Sequence, residues 1–271
     1  MNAAVFRKTF GDSLSTLGLC AGGMVLFVIL FVWAMLNMGT ELLEFVARFT
    51  FIKQIFEMGF GISVEGEVSI NMLFAICFTH GVVFALTWTV LIAAATRVTA
   101  GEVERGTADM LLTLPISRPS IYTSTSLVWM IASLVLAICP VIGIGIATQI
   151  FEMEEEVRIS RYFAPAVNLF CLNLAVGSIA ACFGSFSNRR GPAVGVAVAV
   201  VITSIVLNFL EPFIEFISTI KFLSLLNYFR PTDIVRTGEW PIDSMLVLLG
   251  LAAVTWTAGL VAFSRKDIPT A

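Results

Sequence analysis

The chain alternates long charge-free stretches with short polar ones. The stretches run between Asp12 and Glu41, Glu67 and Arg97, Arg118 and Glu152, Arg161 and Arg189, Arg190 and Glu211, and Asp243 and Arg265. A helix needs about 20 apolar residues to cross a hydrocarbon core of about 30 Å, and in lipid it must satisfy its backbone internally. Each interval meets that length. The pattern predicts an all-α membrane protein whose single transmembrane domain, residues 1–271, holds six transmembrane helices at about 15–37, 68–96, 119–151, 162–188, 191–210 and 244–264. Arg189 and Arg190, followed by Gly191 and Pro192, form a tight hairpin between the fourth and fifth. The first span follows Arg7 and Lys8 as a signal peptide would, but without a convincing cleavage site it reads as a retained anchor.

The segments between spans carry weaker patterns. At the N-terminus, residues 1–14 set Val5, Phe6 and Phe10 beside Arg7, Lys8 and Asp12, which predicts a helix lying along the membrane interface. Within 38–67, Leu42, Phe45, Val46, Phe49, Ile52 and Phe56 recur near helical spacing, as an amphipathic surface helix requires. The stretch from Glu211 to Phe229 is apolar but broken by Glu215 and Lys221, so it predicts short helices dipping toward the membrane before the last span. The acidic run Glu152, Glu154, Glu155 and Glu156 reads as a solvated cap.

Composition closes off other classes. Hydrophobic residues make up 58% of the chain, charged residues 13%, and the mean hydropathy is +0.95, which excludes an ordinary soluble domain and a disordered chain. A net charge of −3 offers no basic field for nucleic acid. The charges are unevenly placed, however. Segments 1–12, 97–118, 189–190 and 265–271 carry nine Lys or Arg against five acids, whereas 38–67, 152–161 and 211–243 carry seven against fourteen. The cation-rich side is expected to be cytoplasmic, which puts both termini and the 97–118 loop in the cytosol and 38–67, 152–161 and 211–243 outside. Cys20, Cys77, Cys139, Cys171 and Cys182 all lie in apolar runs without a CxxC pair, so no disulfide framework or metal site is expected. Met35 and Met38 have no His or Cys beside them and do not make a copper site.

The loop between the second and third spans is the richest in signal. It contains Glu102, Glu104, Arg105, Gly106, Thr107 and Asp109, then the apolar stretch with Leu111 and Leu112, then Pro115, Ser117 and Arg118. A short helix with charged and apolar faces, stopped by Pro115, fits this order. In that loop the chain resembles the six-helix permease subunits of the ABC-2 family of ABC transporters. Many members read there as an acid, Glu-Arg, Gly-Thr, a Leu-rich helix, Pro, Ser and Arg. The resemblance extends in topology over nearly the whole chain and includes Tyr228 to Ile234 before the last span. It implies that the loop is a coupling helix docking on a cytosolic ABC ATPase subunit. It also implies a second permease copy, identical or related, export as the direction of transport, and a place in the bacterial inner membrane. The chain departs from many members in carrying Ser124, Thr125 and Ser126 where they have a Lys. No GxxxxGK[ST] loop is present, so this chain is expected to bind no cofactor and not to be an enzyme by itself. ATP and Mg are assigned to the partner subunit.

Inside the spans, His80 is the one deeply placed ionisable side chain. With Thr79, Asn173 and Asn208 it is a candidate pathway group, or else a neutral imidazole hydrogen-bonded across a helix interface. Gly191, Gly195 and Ala199 on the fifth helix, and Gly177, Ala181 and Ser185 on the fourth, are small residues at four-residue spacing suited to close helix packing, within the chain as the first expectation or else at a dimer seam. Three functions compete. A permease subunit leads; a non-transporting membrane anchor that recruits a cytosolic partner uses the same loop; an intramembrane enzyme fares worst, since no HExxH, GxSxG or intramembrane carboxylate pair is present.

Overall fold

A computed structural model describes residues 2–48, 69–106, 116–153, 156–211 and 213–266. Among them, six helical stretches are long and apolar enough to cross a membrane. Helix α1 (Ala3–Arg48) runs 46 residues without a break. Asn2 caps its start, the side-chain Oδ1 accepting from the amides of Ala4 at 2.9 Å and Val5 at 3.2 Å. The interfacial helix expected at 1–14 and the span expected at 15–37 are thus one element. No Gly-Pro step or competing cap separates them, and α1 continues through Met38 to Arg48. One stripe of it is buried, through Thr9, Leu17, Cys20, Met24, Val28 and Val32, while Leu19, Leu26 and Leu30 stand exposed as lipid-facing residues do.

The second span is segmented. It comprises α2 (Ile70–Ala75), a 3-10 turn at Ile76–Thr79, a break at His80, and α3 (Gly81–Thr96), which passes into a π turn at Arg97–Gly101 and one last α turn, Glu102–Glu104. Helix α4 (Arg118–Ile150) follows, with Pro140 inside it, where the missing N–H leaves the Leu136 carbonyl without its usual donor. Then come α5 (Phe163–Phe186), entered through a 3-10 turn at Ile159–Tyr162, and α6 (Arg190–Leu210). Two short helices, α7 (Glu215–Ile220) and α8 (Pro231–Thr237), precede α9 (Ile242–Arg265). Helix α8 stops at Gly238, whose φ of 73° places it in the left-handed region with its amide on Ile234 O.

Helix α5 is the hub. It packs on α9, α3, α4 and α6, while α1 lies on α4 and α3. Close approach comes from glycine. A β-carbon at Gly177 of α5 would sit 2.6 Å from the Trp129 ring of α4, and one at Gly143 of α4 would sit 2.7 Å from Val28 Cβ of α1. Gly177, Ala181 and Ser185 are all buried.

Residues 2–12, 97–106, 187–190 and 265–266 gather at one end of the bundle, tied by Arg97 to Asp12 at 3.1 Å and by Lys266 to Thr99 O at 3.2 Å. We call this the termini end. At the far end, Asn71 accepts from the Tyr162 hydroxyl and donates to Glu156 O, and Asn168 of α5 donates to Tyr228 O at 3.0 Å. Ser224 donates to Ser204 O of α6 at 2.9 Å, so the short helices before α9 are fastened to the spans.

The Gly177 contact generates a test. Gly177→Ala is expected to cost about 1–3 kcal/mol by overpacking, read as a lower melting temperature in detergent. Adding Trp129→Leu should recover part of the loss, because it removes the ring that the new methyl meets.

Candidate functional site

At the termini end the loop begins as a wide turn. The π turn Arg97–Gly101 lies against α5, where a β-carbon at Gly184 would collide with Thr99 Oγ1. Such a turn leaves carbonyls unpaired in the regular i to i+4 sense, and other segments meet them. Lys266, just past α9, donates to Thr99 O and, at 2.5 Å, to Ser187 O. Arg118, at the start of α4, donates to the Lys266 carbonyl. One lysine therefore holds the C-terminal end of α9 against both the loop and the α5–α6 hairpin. Burial pulls its ammonium down to about 8 from 10.5.

After the π turn, Glu102 is buried, Glu104 and Arg105 are exposed, and Gly106 ends the described segment with a φ of 68°, in the left-handed region where glycine carries no penalty. Glu104 Oε2 accepts the backbone N–H of Arg190 at 2.9 Å, so a loop carboxylate occupies the N-terminus of α6 and supplements the helix dipole there. Arg190 answers in the other direction. Its Nη2 donates to Ala93 O at 3.1 Å and its Nε to Thr96 Oγ1 at 3.4 Å, placing a cation at the C-terminal end of α3. Sequence reasoning does not mark Arg190 or Lys266 as a site residue. The signal it offers is only their position beside a span end, since partners 86 and 167 residues away carry no local pattern.

Ser117 is the N-cap residue of α4 and Arg118 its first residue. Thr107, Asp109, Leu111, Leu112 and Pro115 lie outside the described residues. The described residues of this loop are its flanks, up to Gly106 and from Ile116.

His80 stands at the break in the second span. Its backbone is extended (φ −66°, ψ 137°), and its Nδ1 accepts the amide of Val82 at 3.2 Å, capping α3. The ring packs 4.7 Å from Phe27 and 5.8 Å from Phe31 of α1. The imidazole bond expected across a helix interface is instead made to its own segment, because a helix restarting in an apolar setting needs its first N–H groups satisfied. Thr79 donates to Ile76 O. Asn173 is fully buried with neither amide atom bonded among the described residues, and Asn208 is half-buried on α6. No hydrogen bond joins any two of His80, Thr79, Asn173 and Asn208 among the described residues, so they do not form one polar line.

Gly191, Gly195 and Ala199 are exposed, and among the described residues a β-carbon at either glycine would meet nothing within 4 Å. The stripe of α6 that packs within the chain is Ala193, Ala197, Val201 and Ser204. The expected helix-packing stripe thus faces outward. Helix α5 already presents its own small residues, so α6 can bury methyl-bearing side chains against the bundle.

These features define an integral multi-pass membrane protein with polar machinery concentrated where loops meet spans. The family described as the multidrug efflux system permease Rv1217c, C-terminal domain, matches residues 15–264, and the chain belongs to that family. No curated protein matches the chain.

Two outcomes follow. If His80 acts as a cap, His80→Asn retains the fold and His80→Ala costs about 1 kcal/mol, measured as thermal stability of the purified protein. The Lys266 proton is released earlier in the folded protein than in the unfolded chain, so the stability linked to it rises between pH 8 and 10.5. Melting curves across that window should flatten in Lys266→Met.

Proposed function

We propose that the chain is the membrane-spanning subunit of an ATP-driven efflux system, working as a permease with hydrolysis supplied by a separate cytosolic ABC ATPase that binds ATP and Mg. The observation that carries this reading is the efflux-permease family match across 15–264. The sequence carries no GxxxxGK[ST] phosphate-binding loop, which supports leaving hydrolysis to a partner. The loop around Glu102 to Arg118 is the docking element, and its rim meets three spans: α3 by continuity, α6 through Glu104 and Arg190, and α9 through Thr99 and Lys266. Closure of the ATPase against this rim would bias the bundle between two states, provided nucleotide binding distinguishes them. The outward stripe Gly191, Gly195 and Ala199 offers a close seam, which supports pairing with a second permease copy, identical or related. In this reading both termini are cytoplasmic, the membrane is the bacterial inner membrane and transport runs outward.

Mild-detergent affinity purification from native membranes should recover a stoichiometric companion carrying a nucleotide-binding domain. In the purified complex, Arg105→Glu should lower substrate-stimulated ATPase activity by at least about fivefold, as loss of one charged contact of roughly 1 kcal/mol implies, with the melting temperature unchanged. Arg105 is chosen because it is exposed. Recovery of the chain alone, or full stimulation in the variant, would overturn the docking role.

A further inference from the structure

A cleft of about 450 Å³ runs between α3 and α6, opening outward beside the exposed Ala85 and Thr89. Its wall on α6 is a single helical face, Arg190, Val194, Val198 and Val201, and α3 supplies Trp88 and Ile92. From Arg190 to Val201 the helix rises about 17 Å, close to half of a hydrocarbon core of about 30 Å. The cleft therefore has the depth of one membrane leaflet, with its charged residue at the interface end. Trp88, 7% exposed, contributes to the apolar wall. One polar group there is unspent. The Nε and Nη2 of Arg190 fix the guanidinium plane on Thr96 and Ala93, while Nη1 makes no hydrogen bond among the described residues. Arg97 and Arg105 add to the positive potential at Arg190. Glu104 opposes it, but its carboxylate is turned to the backbone N–H.

We propose that this cleft binds one anionic phospholipid from the leaflet at the termini end, its phosphate on Arg190 and one acyl chain along Trp88, Ile92, Val194, Val198 and Val201. An apolar trough alone accepts any lipid chain; a guanidinium with a free donor at its interface end selects the negative headgroup. The site stands independently of ATPase docking, because it requires only the bundle and the leaflet.

Native mass spectrometry of the full chain, released from nanodiscs of equal phosphatidylglycerol and phosphatidylcholine, reads the site directly. The unaltered protein should retain one phosphatidylglycerol per chain, favoured about fivefold over phosphatidylcholine, the selectivity of one interfacial arginine. Arg190→Gln should bring that ratio close to one. Val198→Trp fills the cleft without touching a charge and should remove retained lipid of both kinds, while Val261→Trp, in the separate groove between α5 and α9, should change neither. Equal retention of the two lipids by the unaltered protein would overturn the proposal. So would retention that survives Val198→Trp in a monodisperse sample, or a Val198→Trp variant whose only change is loss of a dimer, which would make the cleft a seat for a second copy.

Discussion

Backbone groups inside lipid have no water to fall back on, and three departures of this bundle from regular helix, at His80, at the π turn and before α6, answer to that constraint. At His80 the second span stops and restarts, and the imidazole itself receives the Val82 amide. At the π turn the displaced Thr99 carbonyl is met by a lysine arriving from the other end of the sequence. At the hairpin before α6, the first helical N–H finds a carboxylate from the loop, and the arginine bearing that N–H reaches back to a carbonyl of α3. At the π turn and at the hairpin the irregularity is thereby bound to a second element, so two of the places where the chain bends are places where spans are joined, while His80 caps its own segment.

This arrangement gives the termini end its character. Three spans converge on a rim where side chains substitute for missing helix bonds, whereas the bundle interior is held by glycine contacts and ring packing, such as Gly177 on Trp129. Relative movement of spans costs least where the linkage is a few directional hydrogen bonds and most where a ring fills a notch. A docking partner pressing on that rim would meet the deformable part of an otherwise tightly packed body.

Much of this architecture is legible in the amino-acid sequence. Six charge-free intervals locate the six spans, because a charge in lipid is expensive enough to make its absence a reliable marker. The same marker cannot see continuity or interruption. Nothing in hydropathy separates an interfacial helix from a span when Gly11 and Gly18 sit in open space and α1 passes straight through. Nor does it reveal a helix break whose cap is the residue at the break, as at His80. The outward turn of Gly191 and Gly195 is equally hidden, since a four-residue stripe fixes a face but not what that face meets. Glu104 is marked by its motif, but its pairing with Arg190 is not, because contacts over 86 positions are a product of packing alone.

Helix α1 has a mechanical consequence. Its 46 residues make a rod about 69 Å long, more than twice the thickness of the hydrocarbon it crosses. Its start is fastened to the rim by Asn2 on Ser124 and Asp12 on Arg97, and its middle is pinned by Val28 against Gly143. With a fulcrum in the bilayer, the two ends move in opposite directions. A tilt of roughly 5° shifts one end relative to the other by about 6 Å over that length, so a small angular change at one surface becomes a displacement of atomic dimensions at the opposite one, with no joint along the way to absorb it.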